Sequence, residues 1–580
     1  MRRSTARALI GREARMTVPS PAGTARPKGF TSALRGLGNR RLDHYPESRR
    51  RYWYLAIVVL ATVVLYYQLY IQYAVSTAII SHYHMTFLYF VYISVAANAV
   101  GAFASLVAGV ADRWGRANIA VYGLLLVGLL TTFALPNAPG KVSYLVIYAC
   151  VALVEGMILV ATPALIRDFS PQLGRASAMG YWTMGPVVGS LVVTAVTGRT
   201  FTGSTTWQDE IRYAGAAGLA VFVAALLGLR ELAPALRGQI MVSLRDRALV
   251  EARAKGIDAE SALHGQWRGM LRLDVLGSAL AISLYLLLYF SAVGNFVVYF
   301  ATNSGYSAQR TNSLLNWYWG TNAVFLVAAG LVADRLRVRK PFMLAGALGS
   351  IGFTLAFVLH TTQPHTGYYT YAFIVAGIGA TSGVAYAPWM ASFTETVERH
   401  NPAAIATGLA VWGWLIRITV AASAACLPLV VSTVTPLIEH GTEVEQASVQ
   451  AAPALAITRA HPQLFAQLSS YPPGKAPAPL LARAVEEIGA GGLQTVRKAA
   501  PQLKILRTHG PEVQRATAHN AHEWQSWWWV CLGGQVLFLP CISVMTGRWR
   551  PREARRDTEA HERLVAQQLA EMKEISACRK

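Results

Sequence analysis

The sequence predicts an all-α integral membrane protein of twelve transmembrane helices in two six-helix bundles related by pseudo-twofold symmetry, and three observations carry that prediction. Only 14% of the 580 residues are charged and 53% are hydrophobic, whereas a soluble domain carries roughly a quarter charged residues. Twelve apolar windows are long enough, as helices, to cross a hydrocarbon core of roughly 30 Å. A tetrapeptide, Val110-Ala111-Asp112-Arg113, returns unchanged as Val332-Ala333-Asp334-Arg335, each time where an apolar run stops.

The windows fall near 53–79, 86–111, 118–137, 142–167, 175–198, 211–230, 274–301, 313–333, 341–360, 368–392, 403–435 and 525–546. They divide the chain into a basic N-terminal segment (1–51), a first bundle (52–230), a connector (231–272), helices seven to eleven of a second bundle (273–435), an insertion (436–524), helix twelve (525–547) and a tail (548–580).

The net charge of +22 is distributed by side. The first 51 residues hold Arg2, Arg3, Arg7, Arg12, Arg15, Arg26, Lys28 and further arginines up to Arg49, Arg50 and Arg51, against Glu13, Asp43 and Glu47 alone. The loops on the same side as this segment hold Arg113, Arg116, Arg167, Arg175, Arg335, Arg337, Arg339 and Lys340, while the opposite loops 80–85, 138–141 and 361–367 are nearly bare. Excess Lys and Arg mark cytoplasmic loops, so both termini are expected in the cytoplasm of a cell membrane, plasma or bacterial inner. The same pattern makes nucleic acid a poor explanation of the basicity.

No cleavable signal peptide is expected, because the first apolar run follows fifty basic and polar residues; Met16 is an alternative start. The five cysteines have no metal-ligand spacing, and none lies in the insertion, so disulfides are not expected. No Gly-x-x-x-x-Gly-Lys-Ser/Thr loop occurs, which argues against an ATP-driven pump, and no nucleophile and base constellation points to an enzyme. No cofactor is expected.

Three segments stand outside the spans. The connector reads either as a helix lying at the membrane surface through Leu244, Leu249, Val250 and Leu263 or as a solvated linker. The insertion, with helical stretches at 443–460, 479–492 and 493–510, reads as a small helical extracytoplasmic domain or a partly disordered loop, and Trp524, Trp527, Trp528 and Trp529 as indoles at the outer interface. The tail places Val565, Leu569, Met572 and Ile575 at helical spacing.

The packets Gly109-Val-Ala-Asp112-Arg113-Trp-Gly115-Arg116 and Gly330-Leu-Val-Ala-Asp334-Arg335-Leu-Arg337-Val-Arg339-Lys340 resemble the duplicated signature of the major facilitator superfamily, Gly-x-x-x-Asp-Arg-x-Gly-Arg-Arg/Lys, in the loops after spans two and eight. Ala108 stands at the leading glycine of the first copy and Ala117 after Arg116, and Arg337-Val338 replaces x-Gly in the second. Arg167-Asp168-Phe-Ser-Pro171 through Arg175 resembles the family's loop after span four; its partner, Glu395 through Pro402, lacks the second arginine. The resemblance implies alternating access, with Asp112, Arg113, Gly115, Arg116, Asp168, Arg175, Asp334, Arg335 and Arg339 as a cytoplasmic gate that does not select substrate. Physically, Asp112 and Asp334 can engage helix N-termini and arginines only when the bundles close on that side. Gly185-Pro186-Val-Val-Gly189-Ser190 in span five resembles a family stretch often associated with antiporters; close helix packing alone also explains it.

Two ionisable residues lie in mid-span, where insertion costs roughly 2.5–3.5 kcal/mol. Glu155 is central in span four and Arg417 in span eleven. The family's frequent span-four arginine would fall at Ala152, which is a departure. Glu155 is a candidate protonatable group, and Arg417 a candidate bidentate partner of a substrate carboxylate or phosphate; a static structural ion pair is the other reading. Spans one and seven, which line the cavity in the family, supply Tyr67, Gln68, Gln72, Asn295 and Tyr299 as candidate contacts, against simple packing.

These readings converge on a secondary transporter moving a small solute by alternating access, proton-coupled and taking up a small organic anion, functional as a monomer. A proton-linked efflux antiporter for drugs or metabolites is the second reading, and a transporter-like sensor acting through the insertion is the third.

Overall fold

The computed structural model describes residues 40–106, 115–169, 181–233, 236, 272–363, 365–400, 405–471, 476–545, 547–553, 556, 560 and 563. Asp112, Arg113 and Arg175, nearly all of the connector and the tail positions 565–575 lie outside these residues.

The first half contains α1 (Ser48–Ala74), α2 (Ser76–His82), α3 (Phe87–Leu106), α4 (Arg116–Leu129), α5 (Lys141–Phe169), α6 (Gly185–Thr200) and α7 (Trp207–Gly228). The second contains α8 (Leu273–Tyr285), α9 (Leu287–Ser304), α10 (Ala308–Leu336), α11 (Lys340–Thr361), α12 (Tyr368–His400) and α13 (Ile405–Val430). Then come five helices of the insertion, α14 (Val434–Glu439), α15 (Gly441–Gln450), α16 (Ala452–Ala460), α17 (Pro462–Ser469) and α18 (Ala478–Lys498), before α19 (Ala500–Val544) closes the second bundle. One two-residue parallel pair, β1 (Arg41–Leu42) with β2 (Glu231–Leu232), was not anticipated in an all-α chain. It ties the segment before α1 to the segment after α7.

Among the described residues nine helices are long and apolar enough to cross a membrane, and the bent pair of α2 with α3 makes a tenth. Of the two remaining spans, α6 is described over only 16 residues. The other, α10, is 29 residues long and carries Gln309, Arg310, Asn312, Asn316 and Asn322; Asn312 and Asn316 bond to the other bundle, and Asn322 to Gly379 of its own.

Packing repeats between the halves. In the first, α3 and α4 pack on α5, and α1 and α4 on α7; in the second, α10 and α11 pack on α12, and α8 and α11 on α19. The contact of α1 with α6 has its counterpart in α8 with α13. Across the halves, α6 meets α10 and α3 meets α13, again as symmetry partners. The end carrying the insertion is called here the insertion end, and the opposite one the terminal end. A single apolar core runs through the first bundle and across to Phe296, Leu314, Tyr318, Val431, Val434 and Trp528; a separate one around Val275, Ile282, Met343, Trp389 and Phe538 belongs to the second bundle alone.

Two features differ from the sequence reading. Helix α19 runs unbroken for 45 residues, about 68 Å at 1.5 Å per residue, so the last span and the final stretch of the insertion form one rod. Three of the four tryptophans before residue 530 are not interface anchors: Trp524, Trp527 and Trp528 are at most 3% exposed, and only Trp529, at 45%, faces outward. The helical period turns the first three toward α9 and α11, where Trp528 meets Phe296, Tyr299 and Phe357 and Trp527 donates to Ser291 Oγ at 3.0 Å.

Helix crossings are close where glycines meet. At Gly156 a Cβ would stand 2.5 Å from the Gly101 carbonyl oxygen, which holds α5 against α3. Gly156→Val is expected to destabilise the protein by about 1–3 kcal/mol through overpacking, whereas Gly352→Val, with open space around it, should shift the melting temperature little; thermal unfolding of the two purified variants compares them.

Candidate functional site

The α1–α6 contact sets the orientation of α1. Gly185 faces Thr62, and Gly189 faces the Tyr66 Cβ and the Val63 carbonyl. The helix break falls at Met184, and Pro186 sits in the first turn of α6, where its missing N–H goes unneeded. With α6 seated there, α1 presents Val63, Tyr66, Tyr70 and Tyr73 half-buried on one face. The Tyr66–Tyr70 and Tyr70–Tyr73 ring centroids are 5.3 and 6.3 Å apart.

Glu155 lies against this face. It is 2% exposed, and neither carboxylate oxygen has a hydrogen-bond partner among the described residues. It is within electrostatic reach of Tyr66 and Tyr70 on α1 and of Tyr148, two turns earlier on α5. Tyr66 is also in reach of Arg417 on α13, and of Tyr289 and Tyr386 in the second bundle. Both mid-span charges of the sequence are therefore within electrostatic reach of one phenol, the exposed Arg417 being contributed by the other half. Asn295 is half-buried on α9, six residues along from Tyr289.

The other candidates lie elsewhere. Tyr67, Gln68 and Gln72 are 4%, 1% and 0% exposed, because they share the opposite face of α1. Gln68 packs on Gly218 of α7, and Gln72 Oε1 accepts from Tyr144 at 3.3 Å. Tyr299 is enclosed by Phe296, Phe357, Trp524 and Trp528, with its hydroxyl 3.1 Å from Thr361 Oγ1.

Two buried acids escape a sequence reading. Glu210, fully buried in the first turn of α7, accepts from Thr200 Oγ1 at 2.7 Å. Its neighbour Asp209 forms a capping box with Thr206, so the pair reads as one exposed helix start; the helical phase of Trp207, Glu210, Ile211, Ala214 and Gly218 is the signal that turns Glu210 inward. Glu231, beside Gly115 at its positive φ of 98°, accepts from the Ala117 N–H at 3.2 Å and so caps α4, with Arg41 at 3.8 Å.

At the terminal end, Arg116 grips both oxygens of Asp168, at 2.9 and 3.0 Å, joining the start of α4 to the end of α5. The second half repeats this: Arg339 before α11 pairs with Glu395 of α12 at 3.2 Å and with Asp334 of α10 at 2.6 Å. Arg335 is exposed in the last turn of α10. These pairs knit helices within a bundle.

Hydrogen bonds between the bundles are found at the insertion end. Thr194 donates to Asn316 Oδ1 at 2.9 Å, Ser313 to the Gly198 carbonyl at 3.1 Å, Asn312 to the Ala74 carbonyl at 2.9 Å, and the Phe87 N–H to Thr435 Oγ1 at 3.2 Å. Two bundles joined at one end, one of them holding the buried Glu155, form an arrangement that can expose a central site to one side at a time.

The Major Facilitator Superfamily family model matches residues 58–424. Among solved structures, the chain is similar to a bacterial homolog to the human lysosomal transporter Spinster in its inward-facing, unoccupied conformation. The TM-score is 0.51 at 16% identity, over 86% of this chain and 99% of that one. The inward-facing, occupied conformation gives 0.52 at 14% identity, over 86% and 97%. At such identities the likeness speaks for the fold alone. No curated protein matches the chain in sequence. The family match extends over more than half of the chain and agrees with the paired bundles and the duplicated packets: this multi-pass membrane protein belongs to the Major Facilitator Superfamily.

Proposed function

We propose that the protein is a secondary active transporter that carries a small organic anion together with a proton, using Glu155 as the proton carrier and Arg417 as the anion's partner. The observation that carries this reading is that the buried Glu155 of one half and Arg417 of the other are both within electrostatic reach of Tyr66. Both termini and the terminal end face the cytoplasm in this reading, on the distribution of arginines.

Charge balance supplies the coupling. With the site empty, an ionised Glu155 and the Arg417 guanidinium offset each other. An anion bound to Arg417 alone leaves one net negative charge in the low-dielectric middle of the membrane, where an uncompensated ion is costly. Protonation of Glu155 removes that charge. The empty site and the doubly loaded site are then both neutral and both able to pass between the two openings, while the singly loaded forms are held back. Tyr66 and Tyr70 supply hydroxyls without adding charge, while the Tyr148 hydroxyl is held by the Leu69 carbonyl at 3.0 Å.

The packing of Gly185 and Gly189 on α1 accounts for the span-five stretch by close approach of two helices, so that stretch lends the efflux reading nothing further. The terminal-end ion pairs keep each bundle rigid while the two move as bodies.

In proteoliposomes, Glu155→Gln is expected to abolish the acceleration of uptake by an inward proton gradient while preserving solute exchange; a variant that still responds to the gradient removes Glu155 from coupling. A screen of solutes by thermal stabilisation identifies the anion, since a ligand at 100 times its Kd adds about 2.7 kcal/mol. Arg417→Ala should erase the shift, and retention of the full shift would take Arg417 out of the site. Asp168→Asn leaves Arg116 half-buried beside a neutral amide and is expected to cost about 3 kcal/mol, against under about 1 kcal/mol for Asp334→Asn, which is 66% exposed; denaturation of the two variants side by side measures the difference.

A further inference from the structure

The insertion does more than follow α13. Its first helix, α14, sits at the junction of the bundles, packed on α2 and α3 of the first half and on α9 and α19 of the second. Val434 is fully buried there, beside Val431 and opposite Phe87 and Met85, both 1% exposed. Thr435 accepts the Phe87 N–H at 3.2 Å. That N–H belongs to the first residue of α3, which has no intrahelical acceptor, so a hydroxyl from the other half completes it.

What holds α14 in this place is a carboxylate from α19. Glu523 accepts from the N–H groups of Ser432 and Thr433 at 2.8 and 3.0 Å, and from their hydroxyls at 3.2 and 2.9 Å. Thr433 Oγ1 also lies 3.1 Å from Asn520 Oδ1, one turn earlier on α19. Bonds to an ionised acceptor are about twice as strong as neutral ones, and the Ser432–Thr433 turn is the sole link between α13 and α14.

We infer that Glu523 is a positioning residue of the insertion-end gate: it fastens the Ser432–Thr433 turn to the long helix α19, so that Thr435 is presented to Phe87 and the insertion braces the gate shut. This rests on the alternating-access reading given above, which supplies the gate its purpose; the contact itself can be measured without any solute.

Residue-resolved hydrogen exchange of the full-length protein, with no solute added, tests the inference. In Glu523→Ala the amides of Ser432 and Thr433 are expected to exchange roughly tenfold faster or more, and the Phe87 amide, on the other bundle, to accelerate with them. Amides in the middle of α4 should keep their wild-type rates, which reports an intact fold. Thr435→Val should accelerate Phe87 alone. If Ser432 and Thr433 speed up in Glu523→Ala while Phe87 keeps its wild-type rate, Glu523 anchors the insertion only and the inference is overturned. Should Glu523→Ala not fold, Glu523→Gln is expected to give the same pattern at smaller size, and wild-type rates at all three amides there overturn it as well. A protein that moves no solute while Phe87 responds as described would fail the transport reading and leave the brace standing.

Discussion

The contact of α6 with α10, bonded through Thr194 and Asn316 and through Ser313 and the Gly198 carbonyl, is the constraint on which the arrangement depends. It joins the bundles at the insertion end, and three consequences follow. The apolar core is continuous there and divided at the terminal end. Among the described residues of the terminal end, Arg116 pairs with Asp168, and Arg339 with Glu395 and Asp334, each within its own bundle. Span eight has to be polar, since asparagines that bond across the interface cannot also contribute hydropathy.

The halves repeat their packing and their terminal ion pairs without repeating their chemistry. As far ahead of Asp168 as Glu155 lies, the corresponding residue ahead of Glu395 is Ser382, whose hydroxyl is 3.3 Å from that of Ser350 in a small neutral pair. The mid-span acid therefore belongs to the first bundle alone and the mid-span base to α13 of the second. A carrier that moves its bundles as rigid bodies changes the relation between those two charges whenever it changes state. A symmetric pair within one bundle would not experience that change.

The sequence made the architecture legible because hydropathy and the duplicated packets report on solvent and on position, and both vary over whole helices. The site was legible by residue type and not by face. In Tyr66-Tyr67-Gln68-Leu69-Tyr70-Ile71-Gln72-Tyr73 every side of the helix carries a polar atom, so period alone leaves two faces equal; partners distant in sequence decide, Gly218 taking Gln68 and Tyr144 taking Gln72, which leaves Tyr66, Tyr70 and Tyr73 half-buried. Glu210 was hidden by an adjacent capping residue. The continuity of α19 was hidden because its first half is an ordinary polar helix and its second an apolar one, and hydropathy records the change of solvent where the backbone has no break. The cluster of tryptophans misled for a related reason: indoles suit both a membrane interface and an aromatic core, and Tyr299, Phe296 and Phe357, distant in sequence, decide between them.

That unbroken rod also bears on how the insertion is held against the bundles. From Ala500 to Trp524 it extends roughly 36 Å beyond the point where the apolar span begins, and its membrane half is packed on α8 and α11. Ala447 of α15 and Ala516 of α19 are both buried, small enough for α15 to lie close against the rod. The insertion is thus mechanically part of the second bundle, and it reaches the first through α14. A body rigid on one side and held by a few hydrogen bonds on the other yields at those bonds. Separation of the bundles at the insertion end must break the bond from Phe87 to Thr435 along with those from Thr194, Ser313 and Asn312.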